Sequence, residues 1–190
     1  MRNMLLFMVT SIDGYIEGPE HDLSWHHVDE EFNDFAIKQL DEADTILMGR
    51  KTYQLMESYW PTQDALADDP VVAEKMNNMQ KVVVSHSLEN VVETDHWKNA
   101  RLVKENVAGE LAKLKEQEGK PIIVMGSNNL CVTLLELGLL DEIRIMVNPV
   151  ALGAGTQLFA GIDHKEAFTL TNTRTFKNGN VLLTYQTVRR

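Results

Sequence analysis

A single cysteine, Cys131, is all the thiol chemistry in this chain of 190 residues. No intramolecular disulfide is possible, and a reducing cytoplasm is the expected setting. Cys131 sits in the apolar run NLCVTLLEL, with no neighbouring base or cation to lower its pKa, so it reads as a core residue. Long hydrophobic runs are also missing, and none approaches the roughly 20 residues that span a bilayer. The opening MRNMLLFMVTSIDG does not read as a secretory signal, because its apolar stretch is short, Asp13 follows closely and no small-residue cleavage site appears. Positive charge is scarce, with 18 Lys and Arg against 28 Asp and Glu and a formal net charge of -10. That balance argues against nucleic acid and anionic membranes as partners, since both need basic surface. Repeats, low-complexity tracts and Pro/Ser-rich linkers are absent, so residues 1–190 read as one domain. The six histidines show no metal-ligand spacing. His26-His27 reads as a solvated loop pair, and no metal is expected. Neither Gly-x-Ser-x-Gly, His-Glu-x-x-His nor Gly-Lys-Ser/Thr occurs.

Short apolar runs alternate with helical patterns. Residues 4–10, MLLFMVT, form a near-continuous apolar run that fits a strand buried on both faces, and Asp13-Gly14 marks a turn after it. Val28, Phe32, Phe35, Ala36, Leu40 and Ala43 recur at helical spacing. Residues 45–48 predict a second strand, 52–59 a short helix, 61–70 a loop, and 81–85 a third strand. A short strand follows at 101–103, and Asn106 is placed to cap a helix ended by Gly119. Strands at 121–125 and 143–147 flank a helix at 130–137, and Asn178-Gly179 joins two final strands as a hairpin. The pattern predicts an α/β fold: a mixed, mostly parallel central sheet flanked by helices, with an antiparallel C-terminal hairpin. Ligands of such sheets sit beyond the carboxyl ends of the parallel strands. Those ends carry Gly49, Gly126 and Ser85-His86-Ser87.

The segment TILMGRKTYQLM delivers Gly-Arg-Lys-Thr to a helix start, where unpaired N–H groups and the helix dipole favour anions. Gly49 permits close backbone approach, Arg50 can grip a phosphate bidentately and Thr52 supplies a hydroxyl. Leu152-Gly153-Ala154-Gly155 lacks the third glycine of a dinucleotide fingerprint and reads as a flexible loop beside the substrate pocket.

These segments, in this order, resemble the dihydrofolate-reductase-like superfamily, and within it the reductase domain of riboflavin biosynthesis. GRKT resembles the Gly-Arg-x-Thr cofactor motif. VTSIDGYIEG resembles the first strand and loop in the Ser-x-Asp-Gly form of the riboflavin-type reductases. PIIVMGSNNL resembles the glycine-pair segment, and GLLDEIRIMVNPVALGAGTQLF the late strand and substrate-side loop. The resemblance implies a three-layer sandwich, an NADPH-dependent reductase, a heterocyclic small-molecule substrate and a homodimer. It implies that Gly49, Arg50, Lys51 and Thr52 contact the cofactor phosphates and that Ser85, His86 and Ser87 hold the 2′-phosphate side. It further implies that Val9 and Ile16 hold the carboxamide, and that Gly126, Ser127, Asn128 and Leu130 pass under the nicotinamide and pyrophosphate. Ser127 departs from the usual Gly-Gly pair. On the substrate side the resemblance points to Asp13, Trp25, Phe32, Leu152 and Gly153. The folate enzymes carry an acid early in the helix after a Pro-Trp segment. Here Asp29 lies near the apolar stripe and Glu31 has the i, i+4 spacing to Phe35, so both are candidate proton donors, Asp29 slightly preferred. The alternative is an acidic cluster complementing the helix dipole. The substrate is left between a ribosylamino-pyrimidine and a dihydropterin. A non-catalytic nucleotide-binding protein is the reading from another class.

Overall fold

A computed structural model describes residues 1–188. Its centre is one eight-stranded sheet built by β1 (Met4–Thr10), β3 (Thr45–Gly49), β4 (Gln80–Val84), β5 (Ala100–Val103), β6 (Ile122–Val124), β7 (Glu142–Val147), β9 (Phe168–Thr175) and β10 (Val181–Thr187). The order is β5-β4-β3-β6-β1-β7-β10-β9. The six strands from β5 to β7 run parallel, and β10 pairs antiparallel with both β7 and β9. A separate two-stranded ribbon joins β2 (Tyr15–Glu17) to β8 (Thr156–Gln157).

Period-2 alternation assigns the central strands to two cores. Met4, Leu6, Met8, Leu47, Val82, Ile122 and Val124 face α5 (Val107–Glu116) and α6 (Asn128–Glu136), whose Leu111, Leu114, Cys131 and Leu134 join that cluster. The residues between them, Leu5, Ile46, Val83 and Ile123, meet Leu40 of α1 (Glu30–Glu42), Tyr53 of α2 (Arg50–Tyr59), and Val72 and Met76 of α4 (Pro70–Asn78). Both faces of the parallel strands are covered, which is why they read as unbroken apolar runs. The result is the α/β three-layer sandwich that the resemblance implied. Cys131 is wholly buried, and burial pushes its thiol up to about 12, as expected of a core residue.

Three elements differ from expectation. Residues 61–70 are not a loop: α3 (Gln63–Asp68) starts at Thr62, whose hydroxyl caps Ala65 N–H, and Asp69 then caps α4. Thr62 and Asp69 are both residue types that favour helix starts. Asn106 occupies the cap position of α5 with φ 46 and makes no side-chain cap bond. The α1 helix begins two residues later than the periodicity, because Asp29 is its cap. No helix of the described residues is long and apolar enough to cross a membrane.

At the end of the sheet away from the strand carboxyl ends, Lys115 is fixed by Asp141 and by Leu139 O, each at 2.6 Å, while Asp141 also accepts from Met4 N at 2.8 Å. The Lys115 side chain is 3% exposed and that of Asp141 18%. This pair ties α5 to the entrances of β1 and β7. Removing one partner strands a largely desolvated charge. Lys115→Ala is expected to lower unfolding free energy by roughly 3 kcal/mol, the low end for a broken buried pair because Asp141 retains some water. Urea denaturation at neutral pH measures it.

Candidate active site

The carboxyl ends of β3 and β6 lie side by side: Gly49 N donates to Gly126 O at 2.9 Å. A β-carbon on Gly49 would stand 2.7 Å from Ser127 Oγ and 3.2 Å from Ser127 N. A β-carbon on Gly126 would stand 3.1 Å from Thr52 Oγ1, and Gly126 has φ +101, a conformation L side chains avoid. The Gly126-Ser127 peptide is cis. Ser127 thus fits in place of a second glycine because Gly49 leaves room for it. The helices that follow these strands, α2 and α6, both start without a side-chain cap, so their first N–H groups are left for a ligand.

These two helix starts form the floor of a cleft of about 950 Å³, toward the large end of the roughly 300–1,000 Å³ common for small-molecule sites. Of the predicted cofactor residues, Gly49, Arg50, Lys51 and Thr52 line its centre, together with Ser127, Asn128 and Leu130. Val9 and Ile16 line one side, and Ser85 and His86 the other. Gly126 lies beneath them, buried. Ser87 is exposed, outside the lining, and its N–H donates to Ser85 Oγ at 3.2 Å. Ser85 Oγ also accepts from Leu88 N at 2.9 Å, so this serine shapes the turn at the end of β4. Among the described residues Arg50 and Lys51 form no ion pair. Arg50 Nη1 makes one long bond, 3.4 Å, to Gln54 Oε1. Two exposed cations without a direct ion pair, in a chain of net charge -10, stand at the uncapped start of α2.

The substrate-side expectations are redistributed. Phe32 lines the cleft, joined by Leu23, His26, Val28, Ala36 and Gln39. Trp25 does not: its Nε1 donates to Asp22 O at 3.0 Å and its ring meets His26 edge-on at 4.4 Å. His26 is not a solvated loop residue. It lines the cleft, its Nε2 is sealed without a partner, and burial lowers its pKa against a smaller opposing pull from Asp22. His27 is exposed, and Asn178 and Asn180 donate to its carbonyl.

Neither early-helix carboxylate reaches the cleft. Asp29 Oδ1 accepts from Phe32 N at 2.9 Å as the α1 cap. Glu31 is clasped by Arg174 Nη2 and Lys177 N, each at 2.9 Å. The bond from Lys177, then that from Arg174, holds its carboxyl below the usual range. Helical periodicity located the stripe but could not see the cap or the hairpin partner. Glu17 is the only carboxylate among the described residues lining the cleft, and sequence reasoning passed over it because a three-residue strand gives no periodic signal.

Asp13, Leu152 and Gly153 also lie outside the lining, but they act together. Asp13 accepts from Ser11 Oγ at 2.6 Å, Gly153 N at 2.7 Å and Leu152 N at 3.1 Å. These bonds, that from Ser11 first and then those from Gly153 and Leu152, lower its pKa from 3.8 to about 2. Asp13 therefore clasps the late loop to the loop after β1. Its folded pKa lies below the unfolded one, so the unfolded chain takes up the proton first on acidification. The clasp's contribution is full above about pH 4 and is lost as pH falls toward 2. Urea midpoints of wild type and Asp13→Asn should differ at pH 7 and converge as pH approaches 2.5, the wild type losing the difference.

Comparison with known proteins accords with this geometry. Residues 2–182 match the family model for the RibD C-terminal domain. The uncharacterized Bacillus subtilis protein YyaP is 32% identical over 97% of this chain and 94% of its own length. A pyrimidine reductase-like protein of Corynebacterium diphtheriae superposes with a TM-score of 0.73 at 16% identity, over 100% of this chain and 93% of that one. The dihydrofolate reductase of Enterococcus faecalis, solved with NADP(H), gives a TM-score of 0.59 at 16% identity, over 97% and 96%. With its dihydrofolate-reductase-like α/β sheet, the chain belongs to the RibD C-terminal domain family.

Proposed function

We propose that the chain is an NADPH-dependent reductase that delivers hydride to a pyrimidine- or pteridine-type heterocycle, most like 5-amino-6-(5-phosphoribosylamino)uracil reductase. The observation that carries this is the pair of unpaired cations, Arg50 and Lys51, at the uncapped start of α2, facing the uncapped start of α6 across Gly49 and Gly126. The residues fit a dinucleotide phosphate: donors and cations converge there, and a β-carbon on either glycine would narrow the approach. NADPH, when bound, supplies the hydride. Arg50, Lys51 and Thr52 hold phosphate oxygens, and His86 with Ser85 favours a 2′-phosphate over a free hydroxyl. Val9 and Ile16 set the ring's position against a substrate packed on Phe32 and Val28, whose apolar surfaces exclude water.

A dihydrofolate-type activity shares this cradle and differs only in the ring offered. A non-catalytic nucleotide binder gains some support from the distance of Asp29 and Glu31 from the cleft. The proposal includes a cytoplasmic homodimer. Its supporting features are the exposed edge of β9, including Leu170 at 51% exposure, and the adjoining apolar hollow lined by Phe159, Phe168 and Tyr185.

Trp60 lines the cleft, so intrinsic fluorescence reports on binding. NADPH is expected to bind at least tenfold more tightly than NADH. Arg50→Ala should weaken NADPH by about tenfold to a hundredfold, the loss of one charge-assisted hydrogen bond of roughly 1.5–3 kcal/mol. Oxidation of NADPH, followed by its absorbance, with dihydrofolate or with the ribosylamino-pyrimidine then selects the substrate. Binding of neither nucleotide overturns the reductase reading. Sedimentation at micromolar protein should show a dimer, and a monomer there defeats that part of the proposal.

A further inference from the structure

The reductase reading leaves one half of the reaction unassigned. A heterocycle that accepts hydride at carbon must also accept a proton at the adjoining nitrogen, and the early-helix acids are engaged elsewhere. Glu17, the one carboxylate among the described residues that line the cleft, does not stand alone. Glu17 Oε2 lies 2.9 Å from His21 Nδ1, and Glu17 Oε1 accepts from Thr156 Oγ1 at 2.5 Å. Both Glu17 and His21 line the cleft.

We propose that His21 is the group that hands the proton to the reducing substrate, with Glu17 and Thr156 as its positioning residues. This rests on the reductase reading of the same cleft.

Three observations carry it. First, both carboxylate oxygens of Glu17 are committed, one to Thr156 and one to the imidazole. A carboxylate so oriented fixes the tautomer, with Nδ1–H toward Glu17. Nε2 is then left for a partner in the cleft. Second, the backbone is bent to present this side chain. Glu20 and His21 have φ 57 and φ 62, left-handed values that are uncommon for residues other than glycine and that gather at functional sites. Third, the ribbon β2–β8 is built around Glu17. A β-carbon on Gly155 would stand 2.0 Å from Glu17 O, so glycine there allows β8 to bring Thr156 against the carboxylate.

The charged surroundings suit the role. Glu17 and Asp22 flank His21 on its own segment, and Lys51 of α2 faces Glu17 from across the cleft. Burial raises the Glu17 pKa, but the bonds from Thr156 and His21 outweigh it and hold the carboxyl below its usual range. It therefore stays ionised beside the imidazole. The His21 side chain is 63% exposed. The step then balances: hydride from NADPH forms the C–H bond, the Nε2–H proton forms the N–H bond, NADP⁺ is left, and solvent returns the proton to His21.

Two arms test this. The first needs no substrate: ¹⁵N-detected titration of the imidazole in the full chain. His21 is expected to keep its proton on Nδ1 when neutral, and Glu17→Gln should mix the two tautomers. Mixed tautomers, insensitive to Glu17→Gln, overturn the dyad. The second arm follows NADPH oxidation with dihydrofolate and with the ribosylamino-pyrimidine as probes. His21→Gln should lower kcat at least tenfold with KM nearly unchanged and abolish the fall in rate toward high pH. Glu17→Gln should move that fall to lower pH, and Glu17→Asp should restore it in part. Full kcat and an unaltered pH profile in His21→Gln would make the pair a surface staple and overturn the proposal. If neither probe is reduced, the reductase reading and the role of His21 fall together. The imidazole titration tells that result apart from failure of the dyad alone.

Discussion

The contact between the carboxyl ends of β3 and β6 is the constraint on which the site depends. Gly49 N to Gly126 O is a single 2.9 Å bond, yet it sets two helix starts beside each other. Parallel strands make this possible, because each delivers its chain to the same edge of the sheet before a helix departs. Side chains at Gly49 or Gly126 would push those starts apart. Ser127 fills the space that Gly49 leaves, so the departure from a glycine pair is absorbed at a neighbouring strand rather than at the ligand's expense.

The same edge resolves a conflict in the electrostatics. A net charge of -10 opposes any phosphorylated ligand at long range. Screening limits that field to about 8–10 Å at physiological salt, whereas groups inside a cleft interact at a few ångströms. Arg50 and Lys51 spend none of their charge on internal ion pairs among the described residues. By contrast Lys115 and Arg2 are locked to Asp141 and Asp44. Arg2 and Lys115 are buried and paired, whereas Arg50 and Lys51 at the cleft are left exposed.

What was legible in the sequence follows from the range of the interactions involved. The parallel strands were legible because burial on both faces leaves continuous apolar runs, and the cleft's floor at β3 because Gly-Arg-Lys-Thr is a local motif on a strand end. Most of the residues assigned to that edge line the cleft, though Gly126 and Ser87 sit just outside it. The residues expected on the substrate side were less legible. All but Phe32 come from loops whose positions are set by contacts such as Asp13 to Leu152 and Gly153, some 140 positions apart in the chain.

Asp29 and Glu31 show why periodicity misled. A helical wheel assigns direction by angle alone and treats the first turn like any other. At a helix start, however, a carboxylate can satisfy backbone donors that have no partner within the helix. Asp29 does this, which fixes it in extended backbone before the helix begins and removes it from the wheel altogether. Glu31 does lie on the helix, but its neighbour is the C-terminal hairpin, where Arg174 and the Lys177 amide claim both oxygens. An acid that is fully bonded to its own chain has little left to offer a ligand. Glu17 differs in that its bonding leads back into the cleft, through His21.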